Sequence, residues 1–135
     1  MPKLTLATLF ASLLAISCQS PGYEPPPAGA MEEGKWEARV NLSTSVKAHI
    51  AVREVRETRQ FGLLRVQIDL QNLQQNESSF RSSVEWFDVS GFKLDSPNDG
   101  WMSKIAQPQE KFTVSAGAVN PDAVSWRLNV DTWAR

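Results

Sequence analysis

Leu64, Val66, Ile68 and Leu70 alternate with Arg65, Gln67, Asp69 and Gln71. Period two puts one set on each face of an extended chain, so the pattern predicts a half-buried strand with one wet face. Val46, Ala48, Ile50 and Val52 alternate in the same way against Lys47, His49, Ala51 and Arg53. Val55 breaks that parity, which predicts a bulge or a strand end near Glu54. A helix over 46–59 is the competing assignment, and the β-branched valines disfavour it.

Further on, Phe80, Ser82, Val84 and Trp86 share one parity, and Arg81, Ser83, Glu85 and Phe87 the other. Asp88-Val89-Ser90-Gly91 follows, with Asp at a turn start and Gly where a positive φ is wanted. Phe92–Leu94 then returns, so 80–94 reads as a hairpin. Ser96-Pro97-Asn98-Asp99-Gly100 is a second turn. The strands 111–115 and 125–130 complete the set, joined across Asn120-Pro121-Asp122. About seven short strands with turns between them predict an all-β, antiparallel sandwich.

The amino terminus has a different texture. Lys3 precedes an uncharged, mostly apolar run from Leu4 to Ile16, and Cys18, the only cysteine, follows it. Such a layout is that of an export signal. A run of 13 residues is shorter than the roughly 20 that a bilayer-spanning helix needs. The segment resembles a bacterial lipoprotein signal, in which the cysteine after the cut is acylated and becomes the new amino terminus. A plain secretory signal with a chance cysteine is the alternative. Acylation explains why an exported chain carries one unpaired cysteine. Pro21, Gly22, Pro25, Pro26, Pro27, Gly29 and Gly34 then break up regular structure. Residues 1–17 therefore read as signal peptide, 18–34 as a Pro/Gly-rich tether and 35–135 as the folded domain. The tether would span about 20 Å if flexible and about 50 Å as extended polyproline. A Pro-rich stretch is also a possible ligand for a partner domain.

Charge narrows the field of partners. Loss of Lys3 with the signal leaves 13 basic and 15 acidic residues, a net charge of −2. So balanced a chain has no electrostatic footprint for nucleic acid. A domain of this size buries a core without disulfides.

Few residues offer chemistry. A nucleophile needs a base beside it, and the single histidine, His49, falls in a predicted strand. No serine has G-x-S-x-G spacing. With Cys18 acylated, one histidine is too few for a zinc centre, and Asp95, Asn98, Asp99 and Gly100 match a calcium loop in composition only. No metal or cofactor is expected. Glu85 and Asp88 are the only paired carboxylates worth testing, yet both fall in the turn motif, where Asp88 is expected to cap the bend. Arg53, Arg56, Arg59 and Arg65 could form an anion-binding patch, although Glu54 and Glu57 interleave with them. Trp86 is expected in the core, with Phe87 of opposite parity. Trp101, after the second turn, is the candidate exposed contact residue, and Trp133 is either folded over the sandwich edge or exposed.

The stretch Leu63–Asn72, then Val84-Glu85-Trp86-Phe87-Asp88 and Gly91, resembles the YcfL-like periplasmic lipoproteins of Gram-negative envelopes, a domain family of unknown function. Trp101 and the segment 116–128 resemble its later parts, so the likeness covers roughly residues 38–131. It implies an immunoglobulin-like β-sandwich and an acylated amino terminus, and it brings no catalytic residue. Gln19 behind the acylated cysteine implies, by analogy with enterobacterial lipoproteins, the periplasmic face of the outer membrane. The sequence thus predicts a lipid-anchored module acting by contact with another envelope protein, with Trp101, Arg53, Arg56 and Arg59 as candidate surface. A small-ligand-binding lipoprotein is the alternative and a hydrolase the weaker rival.

Overall fold

The computed structural model describes residues 29–133 except Glu33 and Asn98. Cys18, the signal and most of the 18–34 tether lie outside the described residues. A 3₁₀ turn, Glu37–Arg39, precedes eight strands: β1 (Val40–Leu42), β2 (Ile50–Gln60), β3 (Leu63–Asn72), β4 (Ser78–Phe87), β5 (Lys93–Leu94), β6 (Met102–Ala106), β7 (Lys111–Gly117) and β8 (Ser125–Thr132). No helix among the described residues is long and apolar enough to cross a membrane.

The strands form two sheets. One runs β2-β3-β7. The other runs β1-β8-β4, and the far edge of β4 is shared by β6 along its first half and β5 at Trp86 and Phe87. The expected all-β sandwich is what forms. One detail differs from an all-antiparallel arrangement, because β1 lies parallel to β8, with Val40 beside Leu128.

The alternating stretch at 64–70 is β3, the centre of its sheet, and Leu64, Val66, Ile68 and Leu70 are all buried. Opposite them, Phe80, Val84, Trp86, Trp126, Leu128 and Val130 project from β4 and β8. Each fully buried side chain of this size contributes roughly 1.5–3 kcal/mol by leaving water. Phe80 and Phe112 stack across the sandwich, 6.1 Å between centroids and 13° between planes.

The parity break near Glu54 is a bulge. Val52 pairs with Leu70 and Glu54 with Asp69, so Arg53 is the extra residue. The bulge lets Ile50 and Val55 both reach the core. The preceding segment differs from its expected extended form. Val46 N and Lys47 N donate to Ser43 O, and His49 N and Ile50 N donate to Val46 O, so two tight turns replace a strand. Val46 and Ile50 are four apart, a spacing that shares a face in a helical turn as well as in a strand. Both are buried, whereas Ala48 is exposed.

The edge of β2 carries a further addition. Ala30 bridges Arg56, Met31 N donates to Val55 O at 2.8 Å, and Glu57 N donates to Gly29 O at 2.9 Å. The last residues of the stretch read as tether therefore lie along the sheet. Gly29 has φ +83, and a Cβ there would meet Glu57 O at 2.8 Å. Only glycine fits so close an approach without strain.

Candidate functional site

Strands β6 and β7 follow each other in sequence but belong to different sheets, so the link between them carries the chain across the sandwich. Gln107-Pro108-Gln109-Glu110 makes that link, with Glu110 N donating to Gln107 O at 3.1 Å. The Glu110 carboxylate fastens the corner, since it accepts from Lys104 Nζ at 2.8 Å and from Gln107 N at 2.6 Å. These donors hold its pKa below the usual value.

Between β6 and β7 opens a cleft of about 410 Å³. Val84 and Trp86 of β4 line it, as do Ser115, Ala116 and Gly117 of β7. Pro97, Gly100, Trp101 and Met102 border it on the β6 side. Among the described strands β6 pairs only with β4, and β7 only with β3. Each therefore presents an edge unpaired with any described strand, a template for an added strand.

Trp101 stands at this border with 49% of its surface exposed, and Met102 with 53%. The Trp101 ring is held by Arg81, whose guanidinium carbon lies 4.7 Å from its centroid. Arg81 also donates to Asp131 Oδ2 at 2.9 Å. Asp131 in turn accepts from Ser43 and Ser45. Arg81 foremost, then Ser43, depresses the Asp131 pKa to about 2 against the partial cost of burial. The expected exposed tryptophan is therefore a fixed one. Trp133 follows β8, its N–H donating to Ser79 O at 3.1 Å, and is 41% exposed.

The arginines do not gather around it. Arg53, in the bulge, donates to Gln71 at 2.8 Å. Arg56 faces outward and meets Asp69 and Glu54, each at 3.3 Å. Thr113 Oγ1 donates to the same Asp69 at 2.7 Å. Arg65 donates to Gln60 Oε1. Arg59 takes the inward parity, beside Leu64, and donates to the carbonyls of Gly62 at 3.1 Å and Ala123 at 2.8 Å. Steps of three along a strand alternate faces, and the compensating carboxylates sit between. Trp101 belongs to the other sheet, so these residues make no single surface.

The motif at 85–91 is structural in detail. Asp88 Oδ1 accepts from the N–H groups of Ser90 and Phe92, both at 2.9 Å, and Gly91 adopts φ +82. Trp86 is buried, and Arg127 lies 5.2 Å over the Phe87 ring. Glu85 accepts from Asn129 and pairs with Lys93, each at 3.2 Å. Burial opposes its ionisation, yet these partners and Arg127 outweigh burial and leave its pKa lowered. A lowered, paired carboxylate is a poor general acid. His49 is exposed, in the turn before β2 instead of within a strand. No cluster of three or more His, Cys, Asp or Glu able to hold a metal occurs among the described residues.

Two polar centres escaped the sequence. Asn72 is fully buried, and its amide donates to the carbonyls of Asn76, Ala106 and Gln107 while its Oδ1 accepts from Gln74 N. Glu57 faces inward beside Val66 and accepts from Trp126 Nε1 at 2.7 Å and Arg39 at 2.6 Å. The glutamate's place on the apolar parity of β2 was the available signal.

Two sheets with an open edge cleft, and with polar groups engaged in structural bonds, define a β-sandwich module. The chain belongs to the DUF1425 family, described as a protein of unknown function, whose profile matches residues 37–132. A crystal structure of a DUF1425 family member from Shewanella sp. pv-4 is similar, with TM-score 0.58 and 20% identity over 64% of this chain and 80% of that one. Campylobacter jejuni cj0090 is similar at TM-score 0.60 and 18% identity, over 70% of this chain and 98% of that one. At such identities the likeness concerns the fold. No curated protein matches the chain.

Proposed function

We propose that this protein is a lipid-anchored module of the bacterial envelope that works by contact with another envelope protein. Cys18 behind its apolar run, and the resemblance to YcfL-like lipoproteins, support acylation and a site on the periplasmic face of the outer membrane. The observation that carries contact is the cleft between β6 and β7, where two strand edges, unpaired with any described strand, flank Val84 and Trp86 beside the fixed Trp101. An extended segment of the partner would add to one edge by main-chain hydrogen bonds and place an apolar side chain over Trp86. Contact is favoured over catalysis because Glu85 and Asp88 are committed to Lys93, Asn129 and the turn backbone. It is favoured over small-ligand carriage because Trp126, Phe80, Ile68 and Leu70 fill the space between the sheets.

A photoreactive residue in place of Met102, introduced in cells into the native chain and into a Cys18→Ser form, tests both parts. One dominant crosslinked protein, lost without the anchor, is the expected result. Crosslinks spread over many abundant proteins would overturn the contact role.

A further inference from the structure

One end of the sandwich collects most of the exposed apolar side chains. The β2–β3 hairpin turns at Phe61-Gly62, directly after the Gln60–Leu63 pair. Gly117, at the end of β7, pairs with Arg65 near the start of β3, and Ala118 N donates to Leu64 O. The β7–β8 connection therefore begins at that same end. Val124 N donates to Phe87 O, and Phe87 pairs with Ser125, which brings the β4–β5 turn to it as well. The three connections carry Phe61 at 94% exposure, Val89 at 87%, Phe92 at 71%, Val119 at 50% and Val124 at 42%.

Phe61 is there at a cost. Its φ is +52 and that of Gly62 is +76, the two positive values of a tight hairpin turn in which Asn-Gly or Asp-Gly is preferred. Phenylalanine in this position strains its backbone and puts an aromatic ring almost wholly into water. A residue that breaks a local rule without a gain inside the fold points to a role outside it.

The chain itself indicates what lies beyond this end. Gly29 pairs with Glu57 and Ala30 with Arg56, antiparallel to β2, so the segment from Met31 back to Gly29 runs in the direction of the Phe61 turn. Residues 19–28 alone separate Gly29 from Cys18. Their contour cannot exceed about 40 Å, and about 20 Å is the flexible average. Charge at this end is mixed: Arg59 meets only carbonyls and Arg127 lies on Phe87, against Asp88, tied to its turn, and Asp122. Val89 and Val124 border an open cleft of about 390 Å³ together with Phe87, Asp88 and Trp126, whereas Phe61, Phe92 and Val119 stand as apolar tips on separate turns, an arrangement that suits a soft surface better than a shaped protein one.

We infer that this end rests on the lipid surface of the anchoring membrane, with Phe61, Val89 and Phe92 dipping into its interface. The inference relies on Cys18 carrying the anchor. It gives the domain a fixed orientation, with the Gln107–Glu110 corner away from the bilayer and the cleft on the flank.

The test uses the full acylated chain in phosphatidylethanolamine–phosphatidylglycerol vesicles. Cysteine replaces Phe61, Phe92 or, at the opposite end, Leu73, each labelled with a fluorophore that brominated lipid chains quench. Acylation leaves Cys18 without a thiol, so each variant has one label site. Loss of fluorescence at 61 and 92, and none at 73, is expected. Equal signals at all three sites, with the protein still floating with the vesicles, would overturn the orientation and leave the anchor standing. A chain that fails to float, and whose Cys18 takes the label, would overturn the anchor and the inference with it. Phe61→Asn supplies a folded control, in which the fluorescence loss at 92 should diminish.

Discussion

The Arg81 guanidinium carbon lies 4.7 Å from the centre of the Trp101 ring while the same group donates to Asp131 at 2.9 Å. The carboxylate fixes the arginine, and the arginine fixes the indole. An exposed ring already held in place loses little freedom when a partner covers it.

Trp101→Ala should therefore cost the isolated domain little, about 1 kcal/mol in urea unfolding, while removing the crosslink at Met102. Arg81→Ala should weaken that crosslink with Trp101 intact. A large loss of stability in Trp101→Ala would mark the ring as a core plug.

Asp131 predicts a pH dependence. An ordinary aspartate titrates near 3.8, and here the folded value falls to about 2, so folding favours the ionised form. Its contribution is complete above about pH 4 and is lost as the pH falls toward 2. The difference in urea midpoint between wild type and Asp131→Asn should be constant at neutral pH and shrink across that window.

Asn72→Leu should be among the most damaging single changes, costing about 3 kcal/mol by chemical denaturation. It leaves three carbonyls and the Gln74 N–H without their partner in a fully buried place. Asn72→Asp, which keeps the acceptor and loses the donors, should also destabilise.

Gly29→Ala should act locally. A methyl group 2.8 Å from Glu57 O, on a backbone with φ +83, cannot keep the bridge to β2. Hydrogen exchange at Met31 and Glu57 should accelerate by roughly tenfold or more, and the β3 amides should not change.

Phe61→Asn should raise stability by about 0.5–1 kcal/mol, because asparagine tolerates the left-handed turn. A gain in thermal midpoint, paired with loss of membrane contact, is the outcome that separates the two roles of this position.

The sequence carried the fold where one face is wet. The strict alternation of β3 survives, as does the turn at Asp88–Gly91, and in β4 Phe80, Ser82, Val84 and Trp86 are buried as their parity predicts, with Ser83 of the other face buried beside them. It failed where strands are too short to show a period: β1 has three residues, and Met102–Ala106 follows no clean pattern. Val46 misled because a four-residue spacing fits two geometries. Arg53, Arg56 and Arg59 look like one patch in the linear chain, and the bulge and the pleat send them to different neighbours. The cleft was invisible, since it depends on consecutive strands joining different sheets.

Gly29–Met31 also decides how the domain meets mechanical load. The bridge to β2 runs antiparallel, so tension on the chain ahead of Gly29 acts along the strand axis, toward the Phe61 turn. The bonds from Met31 to Val55 and from Glu57 to Gly29 then share the force at once, in shear, where a pull from the side would open them one by one. A short clasp of this kind passes a pull on the leading end into β2, and its bonds must give way together before the load reaches Trp36 and β1.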